Sequence, residues 1–194
     1  DLPSERINAV HRSDESGTTE NFTDYLTTVA PDEWDAGVVE TWPTEYGGEG
    51  AKGTSGVVQT VENSEFSIGY ADASQTAELG QALIGVGDDF VEPSAEAAAK
   101  ILEASPEAEG ASDTAVIYDL DFATEEAGTY PVVLTSYLMA CQSYDDAADG
   151  ELVKAFMEYV ISDEGQDQAA AEAGSAPLSD SIQEQSLSII ENIG

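Results

Sequence analysis

Residues 12–19, with the sequence RSDESGTT, combine a basic side chain with several hydroxyl groups and a glycine. Arg12 carries a planar guanidinium, which suits bidentate binding of a phosphate or a carboxylate. Asp14 stands two residues later, where its carboxylate is placed to hold that guanidinium. These residue types predict a site that binds a small oxyanion.

A helix that begins near Gly17 is predicted to position this run. Four apolar residues follow at the i, i+3, i+4 and i+7 spacing of an amphipathic helix, namely Phe22, Tyr25, Leu26 and Val29. The first backbone N–H groups of a helix lack partners within it, and the helix dipole places about +0.5 charge there. A strand-like run at residues 7–11 precedes the site, and α/β proteins place anion sites in this strand-turn-helix order.

The same residues also have a simpler interpretation. Asp14 or Ser16 is a good N-cap for the predicted helix, and Thr18 and Thr19 are ordinary residues of a first helical turn. Arg12 favours an anion site, because it is one of only five basic residues in the chain. From residues 12–19 alone, an anion site and an ordinary helix start both remain possible.

The charge of the chain restricts its ligands. There are 40 acidic and 5 basic residues among 194, which gives a formal net charge of -35 at pH 7. Nucleic acid is excluded as a partner, and so are anionic membranes, because both are bound through many Lys and Arg side chains. Charges more than about 8 Å from a small anion are largely screened at physiological salt, so we expect a closed and desolvated site. Either a hydrated extracellular surface or a compositional bias would explain the acidity, and the sequence does not separate the two.

Neither the single cysteine nor the single histidine predicts a metal site or a cofactor. Cys141 lies at the end of an apolar stretch, residues 130–141, which is too short to span a membrane and is predicted to form a buried strand. We therefore expect a buried, inert thiol. His11 precedes Arg12 and is placed to line the anion site, but it has no His or Cys companion for a metal.

The other elements alternate as in an α/β protein, with 41% hydrophobic residues to form a core. The glycines of residues 47–56 predict a turn before a helix, because the run lacks the Gly-Lys-Ser/Thr ending of a nucleotide loop. Further strands are predicted at residues 66–71 and 115–120, a helix from Ser94, and three helices in the last third, around residues 152–160, 166–173 and 182–193.

The chain resembles the phosphate-binding proteins of bacterial phosphate ABC transporters, the PstS type. The motifs that carry the likeness are VHRSDESGTTENFTDYL at residues 10–26, Trp42-Pro43 with the glycine-rich run 47–56, and SIGYA at residues 67–71. Weaker support comes from FVEPS at 90–94, Tyr130-Pro131, SDEGQ at 162–166 and Pro177-Leu178.

The resemblance implies a two-lobed, periplasmic-binding-protein-like fold of type II that binds inorganic phosphate with high affinity and delivers it to an ABC transporter permease. It implies no catalysis and no cofactor. By that likeness Arg12 binds phosphate oxygens and Asp14 orients Arg12. Ser16 donates through its hydroxyl, and Gly17 and Thr18 donate through their backbone N–H groups.

The chain departs from the family pattern in two respects. Glu15 stands where the family has a small residue, so its carboxylate must point outward or weaken binding. The resemblance leads us to expect that the family's N-terminal segment, which completes one lobe, is missing, that residues 1–128 form the second lobe, and that residues 129–194 form the returning part of the first. We expect that segment or a companion chain to complete the fold. The likeness places the protein outside the cell or in the periplasm, where an upstream cysteine can carry a lipid anchor.

Three alternatives remain. The ligand of the site could be another tetrahedral oxyanion, sulfate or a phosphonate. A phosphatase or phosphotransferase would use Ser16 or Thr18 as the nucleophile, but it needs a general base, and His11 is the only candidate. A purely acidic surface module would leave Arg12 unexplained.

Overall fold

A computed structural model describes residues 4–76 and 78–194. Its described part forms five strands, six α-helices and two short 3-10 helices, Thr44–Tyr46 and Ala73–Gln75, and it divides into two compact units. The first unit runs to Ala82 and includes Val132–Leu134, and the second contains Leu83–Pro131 and Thr135–Gly194. The elements in chain order are β1 (Asn8–Arg12), α1 (Gly17–Val29), β2 (Glu49–Ala51), α2 (Gly53–Asn63), β3 (Ser67–Gly69), β4 (Ile84–Val86), β5 (Asp89–Val91), α3 (Ala95–Ala104), α4 (Ala147–Ile161), α5 (Asp163–Ala173) and α6 (Asp180–Ile190).

The first unit is built on a three-stranded parallel sheet in the order β2-β1-β3. The central strand pairs on both sides, with Val10 opposite Glu49 in β2 and opposite Gly69 in β3. α2 packs against the sheet, and its Val57 joins Val10 in a buried cluster. Burying such aliphatic side chains stabilises a fold by roughly 1.5–3 kcal/mol each. The predicted strands at residues 7–11 and 66–71 and the predicted helix after the glycine-rich run are confirmed.

α1 begins at Gly17 and ends at Val29, as its sequence pattern predicts, but its buried face differs from the predicted stripe. The fully buried side chains are those of Thr19 and Thr23, whereas Val29 is exposed. The Thr23 hydroxyl donates to the carbonyl of Glu20 or Val39 and accepts from the Val39 N–H at 3.0 Å. A buried hydroxyl costs little where it is hydrogen-bonded in this way.

The second unit contains the antiparallel hairpin β4-β5 and four helices. Val86, Val91 and Ala97 form its buried cluster, so the hairpin packs on α3. α3 is capped by Ser94, whose hydroxyl accepts from the Ala97 N–H. α4 packs against α5 and α6. The predicted helix from Ser94 and the three helices of the last third are confirmed, whereas the sequence pattern did not predict the short hairpin.

Two predicted strands are wrong. Residues 130–141 form no strand, and Leu138 and Met139 are exposed in them. Cys141 is an exposed free thiol rather than a buried one. Residues 115–120 contribute only an isolated bridge between Tyr118 and Glu107. The physical reason is that a strand needs a neighbouring strand to pair its backbone groups, and the described part of the chain offers none to these segments.

The predicted lobes, residues 1–128 and 129–194, stay a prediction. Among the described residues, no helix is both long enough and apolar enough to cross a membrane.

Gly48 allows β2 to approach β1, and its replacement tests this packing. It has φ +98°, and a Cβ there would lie 2.6 Å from the Ala9 carbonyl oxygen and 2.9 Å from the His11 ring. Gly47 has φ +61° but open space around it. We expect Gly47→Ala to cost about 1–3 kcal/mol of unfolding free energy through backbone strain. Gly48→Ala should cost a further 1–3 kcal/mol or so, because the new methyl group overlaps backbone.

Urea unfolding of the two variants beside the wild type measures both costs. Equal stability of the two variants would contradict the close approach of β2 to β1.

Candidate anion site

The residues of the predicted oxyanion site lie at the carboxyl edge of the parallel sheet. Arg12 ends β1, Ala51 ends β2, and Tyr70 follows β3 directly. Because the strands are parallel, these three ends meet at one edge, and α1 and α2 both begin there. Open α/β sheets bind their ligands at this edge.

Arg12 is held in one geometry by Asp14. The Arg12 Nε and Nη2 atoms donate to the two carboxylate oxygens of Asp14 at 2.9 and 2.7 Å. The carboxylate also accepts the backbone N–H of Gly53 at 3.1 Å, so it joins the end of β1 to the first residue of α2. The Arg12 side chain is 13% exposed and that of Asp14 is 30% exposed. That Asp14 orients Arg12 for a ligand stays a prediction.

The pKa shifts of both groups favour their charged forms. The hydrogen bonds from Arg12, and after them the one from the Gly53 N–H, hold the pKa of the Asp14 carboxyl far below its ordinary value. The same bond raises the pKa of Arg12. Both groups are therefore charged at neutral pH.

Ser16 is the N-cap of α1, so this simpler interpretation of Ser16 is confirmed. Its backbone is extended, and its Oγ accepts from the N–H groups of Thr18 at 3.1 Å and Thr19 at 3.4 Å. These bonds use the lone pairs of the hydroxyl and leave its proton free to donate. The cap interpretation of Asp14 is wrong for α1, because that carboxylate is bound to Arg12.

Gly17 opens α1 with space around it. A Cβ added at this residue would meet nothing within 4 Å. Within the described part of the chain its backbone N–H has no acceptor, as expected for the first turn of a helix. Arg12, Asp14, Ser16, Gly17 and Thr18 thus share one short loop and helix start, and this segment can offer a guanidinium, hydroxyl groups and backbone N–H groups to an anion.

The carboxylate of Glu15 lies on the exposed side of this loop. It shares a hydrogen bond with Glu40, which, together with the charge of Glu20, raises the pKa of Glu40. Glu40 in turn accepts the Ser16 backbone N–H through its carbonyl oxygen at 3.0 Å. Glu15 is therefore directed to Glu40 rather than bound to Arg12.

Aromatic side chains surround the loop, and sequence reasoning did not assign them a role. Tyr70 stacks on Phe22 of α1 with ring centres 4.5 Å apart. Trp42 stacks on His11, whose Nδ1 lies 2.9 Å from the Arg12 carbonyl oxygen. His11 thus lies beside Arg12, and its place in an anion site stays a prediction. The signal that could have identified Tyr70 is its position directly after a strand parallel to β1.

In the part of the chain that the structure describes, no group of three or more His, Cys, Asp or Glu side chains is arranged to hold a metal ion.

A family model described as a PBP superfamily domain matches residues 1–164. The chain belongs to the PBP superfamily.

Three curated relatives of this PBP chain are named phosphate-binding proteins. PstS 3 of Mycobacterium leprae is 34% identical over 186 residues, and the alignment covers 93% of this chain and 49% of the relative. PstS 2 of Mycobacterium tuberculosis is 32% identical, with 94% of this chain and 50% of the relative covered.

PstS of Xylella fastidiosa is 35% identical, with coverage of 87% of this chain and 46% of the relative. The chain therefore spans about half the length of the curated relatives it matches.

Solved structures confirm the periplasmic-binding-protein-like α/β fold of this PBP chain. The ancestral soluble variant of the Human Phosphate Binding Protein matches with a TM-score of 0.62 and 21% identity, over 93% of this chain and 57% of that one. A high affinity periplasmic phosphate-binding protein bound with phosphate matches with a TM-score of 0.61 and 20% identity, over 95% and 57%.

Replacement of Asp14 by Asn tests the ion pair. Asp14 has a lowered pKa in the folded chain and an ordinary pKa of about 3.9 in the unfolded chain. Its charge therefore contributes stability above about pH 4, and that contribution is lost as the pH falls toward the folded pKa. We expect Asp14→Asn to be less stable than the wild type at pH 7, with a gap that narrows below about pH 4.

Denaturant unfolding from pH 7 to pH 3 measures this gap. Asp167→Asn, at an exposed position on α5, serves as the control. A gap for Asp14→Asn that does not change with pH would contradict the ion pair.

Proposed function

We propose that this chain binds inorganic phosphate through Arg12 and the start of α1, as part of a solute-binding protein for phosphate uptake. The single observation that carries the proposal is the Arg12 guanidinium, fixed by two hydrogen bonds to Asp14 at the carboxyl edge of the sheet. The names of the three curated relatives support phosphate as the ligand.

The donors at this helix start suit a tetrahedral dianion. Arg12 keeps its Nη1 group outside the pair with Asp14, and that group donates to a phosphate oxygen in our proposal. The Ser16 hydroxyl proton and the Gly17 N–H donate to further oxygens, and Thr18 adds its hydroxyl and shares its N–H between the Ser16 cap and the ligand. Each hydrogen bond that involves a charged group contributes roughly 1.5–3 kcal/mol. Several such bonds outweigh the diffuse repulsion of an acidic surface.

Sulfate is the alternative ligand that the site geometry itself favours. The Asp14 carboxylate already accepts three hydrogen bonds from Arg12 and Gly53, so the described loop offers mainly donors to a ligand. Sulfate carries no proton at neutral pH and needs no acceptor. In our proposal the acceptor that selects phosphate is supplied by the segment or companion chain that completes the first lobe.

The enzyme alternative receives no support from the geometry. His11, the base that it requires, directs Nδ1 to the Arg12 carbonyl and stacks its ring on Trp42. Within the described residues it makes no hydrogen bond to Ser16 or Thr18. The relatives and structural neighbours are named for phosphate binding rather than for a reaction. We therefore propose binding without catalysis.

The proposal extends to the partner and the location. A solute-binding protein of this kind hands phosphate to an ABC transporter permease, and it works in the periplasm or outside the cell. A lipid anchor on an upstream cysteine is part of the proposal. The absence of basic clusters keeps the protein from binding the anionic membrane surface directly.

An apolar surface on α4 is exposed to water. α4 lies in residues 129–194, the part of the chain that is expected to belong to the first lobe, so this surface favours a further segment or chain that completes that lobe. On α4, Leu152, Phe156 and Tyr159 stand on one face at i, i+4 and i+7, and Phe156 is 58% exposed. Met139, in the segment before α4, is 95% exposed. Water-exposed apolar stripes of this kind mark surfaces that another segment covers. We propose that the segment which the likeness expects before residue 1, or a companion chain, covers this stripe.

Replacement of Arg12 tests the proposed phosphate site by isothermal titration with phosphate and then sulfate at moderate salt. We expect Arg12→Ala to abolish measurable phosphate binding, and Arg12→Lys to weaken it about tenfold or more, because a lysine cannot bind two acceptors in one plane. Arg6→Ala, at the other arginine and an exposed position, is the matched control and should bind as the wild type does.

Unchanged phosphate binding by Arg12→Ala would contradict the proposed site. Binding of phosphate only after the companion segment is added would assign the site to both lobes.

The apolar stripe has its own test in light scattering. We expect the chain alone to self-associate, and Phe156→Glu to reduce that association, because the charge enters the centre of the stripe. Val38→Glu, at an exposed apolar position of the first unit, is the control. A well-folded monomer at high concentration for the unchanged chain would contradict a companion for the first lobe.

A further inference from the structure

Tyr70 joins three parts of the candidate anion site through one hydroxyl group. Its Oη accepts the backbone N–H of Arg12 at 3.2 Å and shares a hydrogen bond of 2.6 Å with the Thr19 hydroxyl. Arg12 ends β1, Thr19 lies in the first turn of α1, and Tyr70 follows β3. One oxygen atom therefore links the residue that carries the guanidinium to the helix start that carries the other donors.

The hydrogen bond from the Arg12 N–H to Tyr70 takes the place of a backbone hydrogen bond between β1 and β3. Gly69, opposite Val10, is the last residue of β3, so no β3 carbonyl is level with Arg12. The Ser13 N–H donates to the Ala51 carbonyl oxygen of β2. Because successive N–H groups of a strand point to opposite sides, the Arg12 N–H is directed toward β3. The Tyr70 hydroxyl takes the place of the carbonyl there. Without it, the backbone of Arg12 would lose a partner in a half-buried position.

The bond to Thr19 has no substitute within the described residues. The Thr19 side chain is fully buried, with 0% exposed, and Tyr70 is the partner of its hydroxyl. Thr19 also gives its backbone N–H to the Ser16 cap at 3.4 Å. A shift of Thr19 would therefore move the cap that positions Ser16, Gly17 and Thr18.

The Tyr70 ring is fixed separately from its hydroxyl. It stacks on Phe22 with ring centres 4.5 Å apart and planes 19° apart, and Trp42 lies 6.1 Å away. Replacement by phenylalanine would remove the two hydrogen bonds and keep this packing.

We propose that Tyr70 is a positioning residue of the phosphate site, which sets affinity by holding Arg12 and the first turn of α1 in register. The proposal rests on the proposed phosphate binding. Tyr70 acts through Arg12 and Thr19 and is not itself a ligand.

The test compares Tyr70→Phe with Tyr46→Phe. Tyr46 is a matched control, because it packs on Trp34 and Trp42 and its hydroxyl bonds Asp35 instead of Arg12. We expect Tyr70→Phe to weaken phosphate binding about tenfold, the order expected for the loss of one or two hydrogen bonds. Tyr46→Phe should bind phosphate as the wild type does.

Hydrogen exchange provides a readout that a general loss of stability would not give. In Tyr70→Phe the backbone amide of Arg12 should exchange faster, whereas that of Asn8, which donates to the Phe66 carbonyl at 2.9 Å, should not change. Wild-type affinity in Tyr70→Phe would overturn the proposal, and so would an unchanged Arg12 amide.

Thr19 provides a second route if Tyr70→Phe does not fold. Thr19→Val should weaken phosphate binding to a similar degree, and Thr19→Ser, which restores the hydroxyl, should recover it. Full binding by Thr19→Val would overturn the proposal. A wild-type chain that binds no phosphate even after the companion segment is added would refute the proposed function instead, and the exchange of the Arg12 amide would still decide whether Tyr70 holds Arg12.

Discussion

The candidate site depends on the double hydrogen bond between Arg12 and Asp14. It fixes a positive group that is scarce in this chain, and the third bond of the same carboxylate, to Gly53, attaches the loop to the start of α2. The carboxylate therefore does two tasks at once. It orients the guanidinium, and it satisfies a backbone N–H at a helix start that has no side-chain cap of its own.

The net charge of -35 makes this local arrangement necessary for any anion ligand. An acidic surface repels anions at long range, but salt screens that repulsion beyond about 8 Å. Short hydrogen bonds from a largely buried guanidinium and a capped helix start are not screened in the same way. The Glu15 carboxylate does not compete for Arg12, because it is paired with Glu40 on the exposed side of the loop, and Arg12 is bound by Asp14.

The sequence predicted those features that depend on neighbours along the chain. The strand-loop-helix unit around residues 8–29 is local, so hydrophobic spacing and cap chemistry identified α1 and its start at Gly17. The pair Arg12 and Asp14 was predictable because its members stand two residues apart. The proposed ligand roles of Gly17 and Thr18 come from the family likeness alone, because spacing did not distinguish these residues from an ordinary first turn.

Features that depend on distant partners were not predictable in the same way. The apolar residues 130–141 have the composition of a strand, but a strand forms only where another strand is available to pair with it. Tyr70 lies within the predicted strand at residues 66–71, and its contact with Arg12, 58 residues away, arises from the parallel pairing of β1 and β3. Burial of Thr19 and Thr23 in place of the apolar stripe likewise reflects hydrogen bonds to distant segments.

The most direct test of the central claim is a nitrogen-15 NMR titration of the arginine-labelled chain with phosphate. The chain has only two arginines, Arg6 and Arg12, so the side-chain Nε–H signals are two and can be assigned by substitution. We predict that the Arg12 signal shifts on addition of phosphate, that the Arg6 signal stays in place, and that Asp14→Asn broadens or moves the Arg12 signal before any ligand is added. Equal shifts of the two signals, or no shift of Arg12 under conditions where the chain binds phosphate, would contradict the claim that Arg12 and Asp14 form the site.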